Sequence, residues 1–117
     1  MTYKEVATMI DGIGLPFAYD HFDADPENPA PPPPFICFYF EGSNDLAADD
    51  TNYQKIRPMT LELYTDNKDF SLEETVETAL NSAGLVFSRL ETYIDSERMY
   101  MVTFQTQIII TEEDSNG

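Results

Sequence analysis

Apolar residues recur every three or four positions in two stretches of the chain, which predicts two helices. In the first stretch, Thr2 can cap the start of a helix, and Gly12 and Gly14 end it before Pro16. Four residues at helical spacing form its apolar side: Tyr3, Val6, Met9 and Ile10. The pattern therefore predicts a first helix of about three turns.

The second helical stretch begins with a capping box, in which the Ser71 hydroxyl and the Glu74 carboxylate can each accept from a free amide at the helix start. Gly84 can take the left-handed conformation that ends a helix. The apolar stripe consists of Leu72, Val76, Ala79, Leu80 and Ala83. The polar side of this helix is predicted to carry Glu73, Glu74 and Glu77.

Five other stretches are continuously apolar or alternate between apolar and polar residues, as strands do. They are residues 17–22, 35–41, 56–65, 85–93 and 99–111. In the third of these, Met59, Leu61 and Leu63 form the side expected to face the core. The order of elements predicts one α+β domain over residues 1–117: a mainly antiparallel sheet of about four strands, with two helices packed on one face.

Two connections are unusual. Residues 23–34 contain six prolines among acidic residues, which predicts an extended surface segment. It can be a ligand for aromatic grooves, but a stiff entry into the following strand is the simpler interpretation. Residues 42–53 form a long polar loop where two to five residues would join a hairpin, and loops of such length are usually functional or disordered. Residues 112–117 should fray.

The chain is very acidic. Twenty-two Asp and Glu residues face six Lys and Arg residues, for a formal net charge of -16, so direct phosphate binding is not expected. A 42% share of hydrophobic residues nevertheless indicates a folded domain. No apolar stretch approaches the roughly 20 residues that span a bilayer, and no basic leader precedes an apolar segment. We expect a soluble protein made in the cytoplasm, with no membrane partner.

Catalytic and metal-binding patterns are missing from the sequence. His21 is the one histidine, no G-x-S-x-G motif occurs, and Cys37 lies in an apolar strand where a buried thiol is expected. A calcium loop starting at Asp23 fails because Asn28 replaces the turn glycine and Pro34 replaces the bidentate glutamate. We expect no catalytic, metal or cofactor site, and therefore not an enzyme. Solvated charge is the better interpretation of the acidic cluster Asp20, Asp23, Asp25 and Glu27.

Several segments carry a family resemblance: residues 14–22 (GLPFAYDHF), 31–34 (PPPP), 62–69 (ELYTDNKD), 91–94 (ETYI) and 96–100 (SERMY). With them the chain resembles small tail proteins of long-tailed bacteriophages and prophages of Gram-positive bacteria. It looks like their tail-completion or tail-terminator (head-tail joining) proteins, which form a hexameric ring at the head-proximal end of the tail tube. Such a ring stops tube growth and presents a surface to the head connector.

The resemblance implies a structural virion protein whose partners are copies of itself, tail-tube proteins and head-connector proteins. Its place would be the head-proximal end of the phage tail, and the host cytoplasm during assembly. Within this hypothesis the long loop is the candidate for subunit contact or for ordering on assembly, with Leu46 and Tyr53 as apolar anchors. The candidate partner-binding residues are Asp45, Leu46, Asp49, Asp50 and Tyr53. A merely mobile loop is the alternative.

A rival interpretation belongs to another class. An acidic domain of this size can mimic the charge of nucleic acid and inhibit a nucleic-acid-binding host protein. That interpretation predicts tight, salt-sensitive binding to a basic partner. A small hydrolase is a third possibility, and it would require turnover that depends on His21.

Overall fold

Two helices and six strands follow one another in the computed structural model, which describes residues 1–48 and 52–111. Their order confirms the α+β class. The predicted fraying of residues 112–117 lies outside the described residues. The elements are α1 (Tyr3–Asp11), β1 (Phe17–Tyr19), β2 (Phe35–Phe40), β3 (Leu46–Ala48), β4 (Asn52–Thr65), α2 (Phe70–Ser82), β5 (Phe87–Ile94) and β6 (Met99–Ile110).

The sheet is larger and more mixed than the predicted four mainly antiparallel strands. Its strand order is β1-β2-β4-β6-β5, and β3 pairs with the start of β4. Every pair is antiparallel except β1–β2, which is parallel. The physical reason is the connection over residues 20–34, because parallel neighbours need a crossover of about a dozen residues or more. The proline-rich segment supplies that crossover.

Both helices pack on the same side of the sheet. Alternate residues of β2, β4 and β6 point to that side, and they form one buried cluster with residues of α1 and α2. Met59, Leu61 and Leu63 belong to it, so the prediction of the core side of β4 is confirmed. The cluster consists of Val6, Ile10, Ile36, Phe38, Met59, Leu61, Leu63, Val76, Leu80, Val102, Phe104, Ile108 and Ile110.

The first helix begins as predicted. The Thr2 hydroxyl accepts a hydrogen bond from the Glu5 amide at 3.0 Å, and the Glu5 carboxylate accepts from the Thr2 amide at 2.9 Å. This capping box also lowers the pKa of Glu5, chiefly because the charged carboxylate accepts the Thr2 backbone hydrogen bond.

The start of α2 differs from the prediction. Asp69 is the capping residue, and its carboxylate accepts from the Leu72 amide at 3.0 Å, so the predicted box of Ser71 and Glu74 is wrong. Aspartate and serine are both good capping residues, but the negative charge of an aspartate also interacts favourably with the positive end of the helix dipole. Asp69 is therefore the preferred cap, and Ser71 lies within the first turn. Gly84 ends α2 at φ +76°, as predicted.

Residues 42–53 do not form one continuous loop. Leu46–Ala48 pair with the first residues of β4, and β4 pairs with β6 only from Lys55 onward. This pairing gives hydrogen-bond partners to backbone groups at the start of β4 that would otherwise be exposed. A strand of three residues is too short to be recognised from the alternation of apolar and polar residues. We call this element the β3–β4 hairpin. It extends the sheet beyond the last β4–β6 pair.

Candidate interaction surface

The side of the sheet opposite the helices is not covered by another layer of secondary structure among the described residues. Its residues alternate with the core residues along β2, β4, β6 and β5, and we call this side the open face. Leu90 is 67% exposed and Ile109 is 49% exposed there. By strand register, the apolar and aromatic members of the open face are Phe35, Cys37, Tyr39, Ile56, Tyr64, Leu90, Ile94, Met99, Met101 and Ile109.

Charge is nearly absent from the open face. Within the described strands that form it, Glu62 is the one residue with an acidic or basic side chain, although the whole chain carries a formal charge of -16. Glu41 follows β2 directly, donates its amide to the Pro58 carbonyl at 2.9 Å, and adds a second carboxylate at the edge of this face. Few charges combined with aromatic residues and methionine are the composition of the centre of a protein–protein interface. The open face is therefore the surface best suited to contact another protein.

Glu62 lies in the middle of this face among aromatic rings. The Tyr64 hydroxyl donates to its carboxylate at 2.8 Å, and the Tyr39 hydroxyl lies 3.5 Å from it. The Phe35 ring stacks on Tyr64 with centroids 4.9 Å apart. The carboxylate is thus held at a fixed position by neutral donors, while its negative charge has no basic partner among these contacts.

The groups beside Glu62 stay neutral. Burial raises the pKa of Cys37 to about 11, and the negative charge of Glu62 adds to this effect. Burial and the hydrogen bond to Glu62 raise the pKa of Tyr64 far above its ordinary value. The prediction that Cys37 is a buried thiol is confirmed, since 5% of its surface is exposed. A protonated, buried thiol is a poor nucleophile.

The helix side of the sheet carries an ion-pair network that the sequence analysis missed. Glu73 was assigned to the polar side of α2, but it is 1% exposed, so that assignment is wrong. Its carboxylate accepts from Lys68 Nζ at 2.5 Å and from the Arg89 guanidinium at 2.6 Å. Arg89 also reaches Glu77, and Lys68 also contacts Glu91. The network joins α2 to β5, which helical spacing alone could not show.

The outer strand β5 has a free edge. It pairs with β6 on one side, and on its other side no strand of the described residues pairs with it. The strand carries exposed apolar residues at Leu90 and Tyr93, and Val86 just before it is 88% exposed. An edge strand offers unpaired backbone donors and acceptors to a strand of another chain.

The turn between β5 and β6 presents an unusual arginine. Arg98 has a φ of +51°, in the left-handed region that normally favours glycine or asparagine, and its side chain makes no ion pair with the described residues. By contrast, Arg57 is paired with Asp45, and the network on the helix side binds Lys68 and Arg89. Sequence reasoning gave Arg98 no role.

The candidate loop residues are only partly placed by the structure. Asp45 is bound within the chain, because its carboxylate contacts Arg57 and accepts from the Ile56 amide at 3.0 Å. Leu46 lies in β3 and Tyr53 lies in β4, while their side chains are outside the described part. Asp49 and Asp50 also lie outside the described residues. Their roles in partner contact stay predictions.

His21 lies in an exposed acidic segment after β1. Its Nδ1 is 2.9 Å from the Asp20 carboxylate and its Nε2 is 3.2 Å from the Asp23 carboxylate. The hydrogen bond to Asp20, followed by the charge of Asp23, raises the pKa of His21. Within residues 1–48 and 52–111 no group of three or more His, Cys, Asp or Glu side chains is arranged to hold a metal ion.

We expect NMR titration of the His21 ring to give a pKa above about 6.5, the ordinary value of histidine. Because folding raises the pKa of His21, the contacts stabilise the fold fully at pH values below the pKa that His21 has in the unfolded chain. This stabilisation is lost as the pH rises through the pKa that His21 has in the folded protein. The double substitution Asp20→Asn with Asp23→Asn should return the His21 pKa towards its ordinary value. An unchanged titration curve would contradict the assigned contacts.

Comparison with known proteins shows a likeness in fold but not in sequence. A scan against protein-family models finds no match, and a search of curated protein sequences finds none. A solved structure described as "Virion of native gene transfer agent (GTA) particle" contains a chain with the same arrangement. The alignment covers 92% of this chain and 88% of that chain, with a TM-score of 0.50 and 15% sequence identity.

This chain shares its fold with a chain of that virion particle. At 15% identity the likeness extends to the fold and not to the role. It includes nearly the full length of both chains. In addition, no helix among the described residues is long and apolar enough to cross a membrane.

Proposed function

We propose that this chain is a structural component of a phage-like virion, that it caps the tail tube as a ring, and that it joins the tube to the head connector. The observation that carries the proposal is the fold shared with a chain of a gene transfer agent virion over 92% of this chain. The sequence resemblance to tail-terminator proteins supplies the finer role. In this role the chain binds other proteins and makes or breaks no covalent bond.

The surfaces of the molecule suit a ring. A ring subunit must contact its two neighbours through different patches, because each contact repeats head to tail around the axis. The open face, the free edge of β5 and the β3–β4 hairpin lie on different parts of the domain. Together with the exposed turn between β5 and β6, they offer more than the two patches that a ring needs, so that a further patch remains for the tube or the connector.

The acidic surface also fits a ring through which DNA passes. The charge that is missing from the open face is carried by the rest of the molecule, including the exposed residues Asp11, Asp66 and Glu74. Acidic side chains on the inner wall of a ring would repel phosphate groups, so that DNA slides without adhering. We include this inner acidic wall in the proposal.

Assembly of particles without this protein tests the proposed role. Loss of a tail terminator should give tubes longer than normal, and restoring the gene should bring back the normal length distribution in electron micrographs. Tails of normal length that are not attached to heads would indicate a connector instead. Normal tails attached to heads would contradict both roles.

Purified protein provides the second test. We expect it to bind tail-tube ends or connector proteins and to form rings there, which negative-stain electron microscopy would show. Tight binding to a basic nucleic-acid-binding host protein, lost as salt is raised, would support the charge-mimicking alternative instead. Turnover of a substrate that His21→Ala abolishes would contradict a purely structural role.

A further inference from the structure

We infer that Arg98 of one copy docks on the open face of the next copy, where its guanidinium pairs with the Glu62 carboxylate between the rings of Tyr39 and Tyr64. The inference rests on the proposed ring and names one contact that builds it. Two features carry it, both stated for the described residues: a carboxylate without a basic partner at the centre of a largely apolar face, and a cation without an ion-pair partner on an exposed turn.

Glu62 provides the acceptor side. If an apolar surface covered the open face, the carboxylate would lose its water while keeping its charge, which costs several kcal/mol unless a cation accompanies it. The two phenols that donate to it, at 2.8 Å and 3.5 Å, are neutral groups and do not compensate its negative charge. A guanidinium fits this position, because its planar fork binds a carboxylate and its flat face stacks on aromatic rings. A protein that brings a positive charge to this carboxylate therefore covers the face at the lowest desolvation cost.

Arg98 provides the donor side. Among the cations with described ion pairs, Arg57, Lys68 and Arg89 are already bound to carboxylates of their own chain. Arg98 has no such pair with the described residues and occupies the turn at φ +51°, where a glycine would be less strained. A strained residue without an ion pair in the described part of its own chain suggests selection for a contact outside it. Its position at the tip of the β5–β6 hairpin exposes it to a neighbour.

The pair cannot form within one copy. Glu62 lies opposite Thr103, five positions along the chain from Arg98. At about 3.3 Å per residue this is roughly 16 Å along the strand, well beyond the reach of an arginine side chain. The contact is therefore between copies, and it joins a turn to a sheet face. Because it joins two different patches, the contact is head to tail, and repeated head-to-tail contacts can close into a ring.

Opposite charge reversals test the contact. We expect Arg98→Glu and Glu62→Arg each to weaken association between copies at least about tenfold, as followed by sedimentation velocity and by electron microscopy of tube ends. A mixture of the two variants should assemble again. In the mixture, the glutamate introduced at position 98 meets the arginine introduced at position 62 at one junction, and the native pair forms at the next. The two variants therefore alternate, and rings contain an even number of copies.

Two further variants serve as controls. Glu97→Gln removes a charge from the same turn and should leave association unchanged or stronger. Glu62→Gln keeps an acceptor for the phenols but loses the charge, so it should weaken association while the melting temperature stays close to that of the wild type. Circular dichroism of each variant will separate lost assembly from lost folding.

Each outcome decides the inference. Folded single variants that assemble like the wild type would overturn the contact, while the tail-length experiment would still stand for the proposed function. Folded single variants that fail alone and also fail when mixed would overturn it too, because the two residues would then not meet. Wild-type protein that stays monomeric even on tube ends would overturn both the ring and the contact.

Discussion

Replacing Phe104 with alanine should lower the free energy of unfolding by about 3–5 kcal/mol. The ring is fully buried and lies opposite Leu61 of β4 and Arg89 of β5. It also makes an edge contact with Phe87 at 5.7 Å between centroids. Its removal leaves a cavity at the centre of the core, and domains of this size are stable by only about 5–15 kcal/mol. Urea unfolding followed by circular dichroism measures the loss.

Leu90 provides a matched control for the Phe104 prediction. It lies on β5, the strand next to β6, but it is 67% exposed on the open face. The substitution Leu90→Ala should therefore change the free energy of unfolding of the monomer by no more than about 0.5 kcal/mol. Equal effects of the two substitutions would contradict the assignment of the two sides of the sheet.

Replacing Arg89 with methionine should lower the free energy of unfolding by about 3 kcal/mol. The buried Glu73 carboxylate would lose its 2.6 Å partner and keep only Lys68. We choose the lower end of the range for a broken buried ion pair because this second cation remains. Chemical denaturation again measures the effect. Arg98→Met is the matched control, since Arg98 makes no ion pair with the described residues, and its effect should stay within about 0.5 kcal/mol.

A second substitution separates lost charge pairing from lost packing. Adding Glu73→Leu to Arg89→Met removes the buried charge, and apolar replacements of a buried ion pair are often neutral or stabilising. The double variant should therefore regain most of the lost stability. A double variant that is less stable than Arg89→Met alone would show that the remaining contacts of Glu73, chiefly with Lys68, outweigh the cost of its burial.

Local signals in the sequence predicted much of the fold because each has a short-range cause. The cap at Thr2 and the left-handed Gly84 involve neighbouring residues only, and the structure shows both. The alternation that assigned Met59, Leu61 and Leu63 to the core also depends only on strand geometry.

Features that depend on distant pairing could not be predicted. The parallel direction of β1 depends on where residues 20–34 bring the chain back, and the sequence pattern does not contain that path. Glu73 lies three and seven positions before the buried residues Val76 and Leu80, so its spacing fits the core side and only its charge assigned it to the polar side. Lys68 and Arg89, which are distant in sequence, contact its carboxylate and make its burial tolerable. The β3 strand is three residues long and depends on its partner in β4.

For the candidate site, too, the sequence predicts the local features but not those that depend on distant pairing. The sequence pointed to residues 42–53 because length and polarity are visible without a structure. The open face becomes visible only when the registers of four strands are known, because its largely apolar surface is assembled from every second residue of separate segments. Glu62 and Arg98 look ordinary in an acidic sequence, and their surroundings become clear only in three dimensions.

The proline-rich crossover has a consequence for how the newly made chain avoids aggregation. β2, with the sequence FICFYF, has the apolar and β-forming composition that promotes cross-β stacking when it is unprotected. Prolines directly precede it and Glu41 directly follows it. Prolines and charged residues at the ends of an aggregation-prone segment hinder its pairing with strands of other chains. Replacing the prolines by serine should thus increase the fraction of the protein found in inclusion bodies, while the structure of the molecules that do fold changes little.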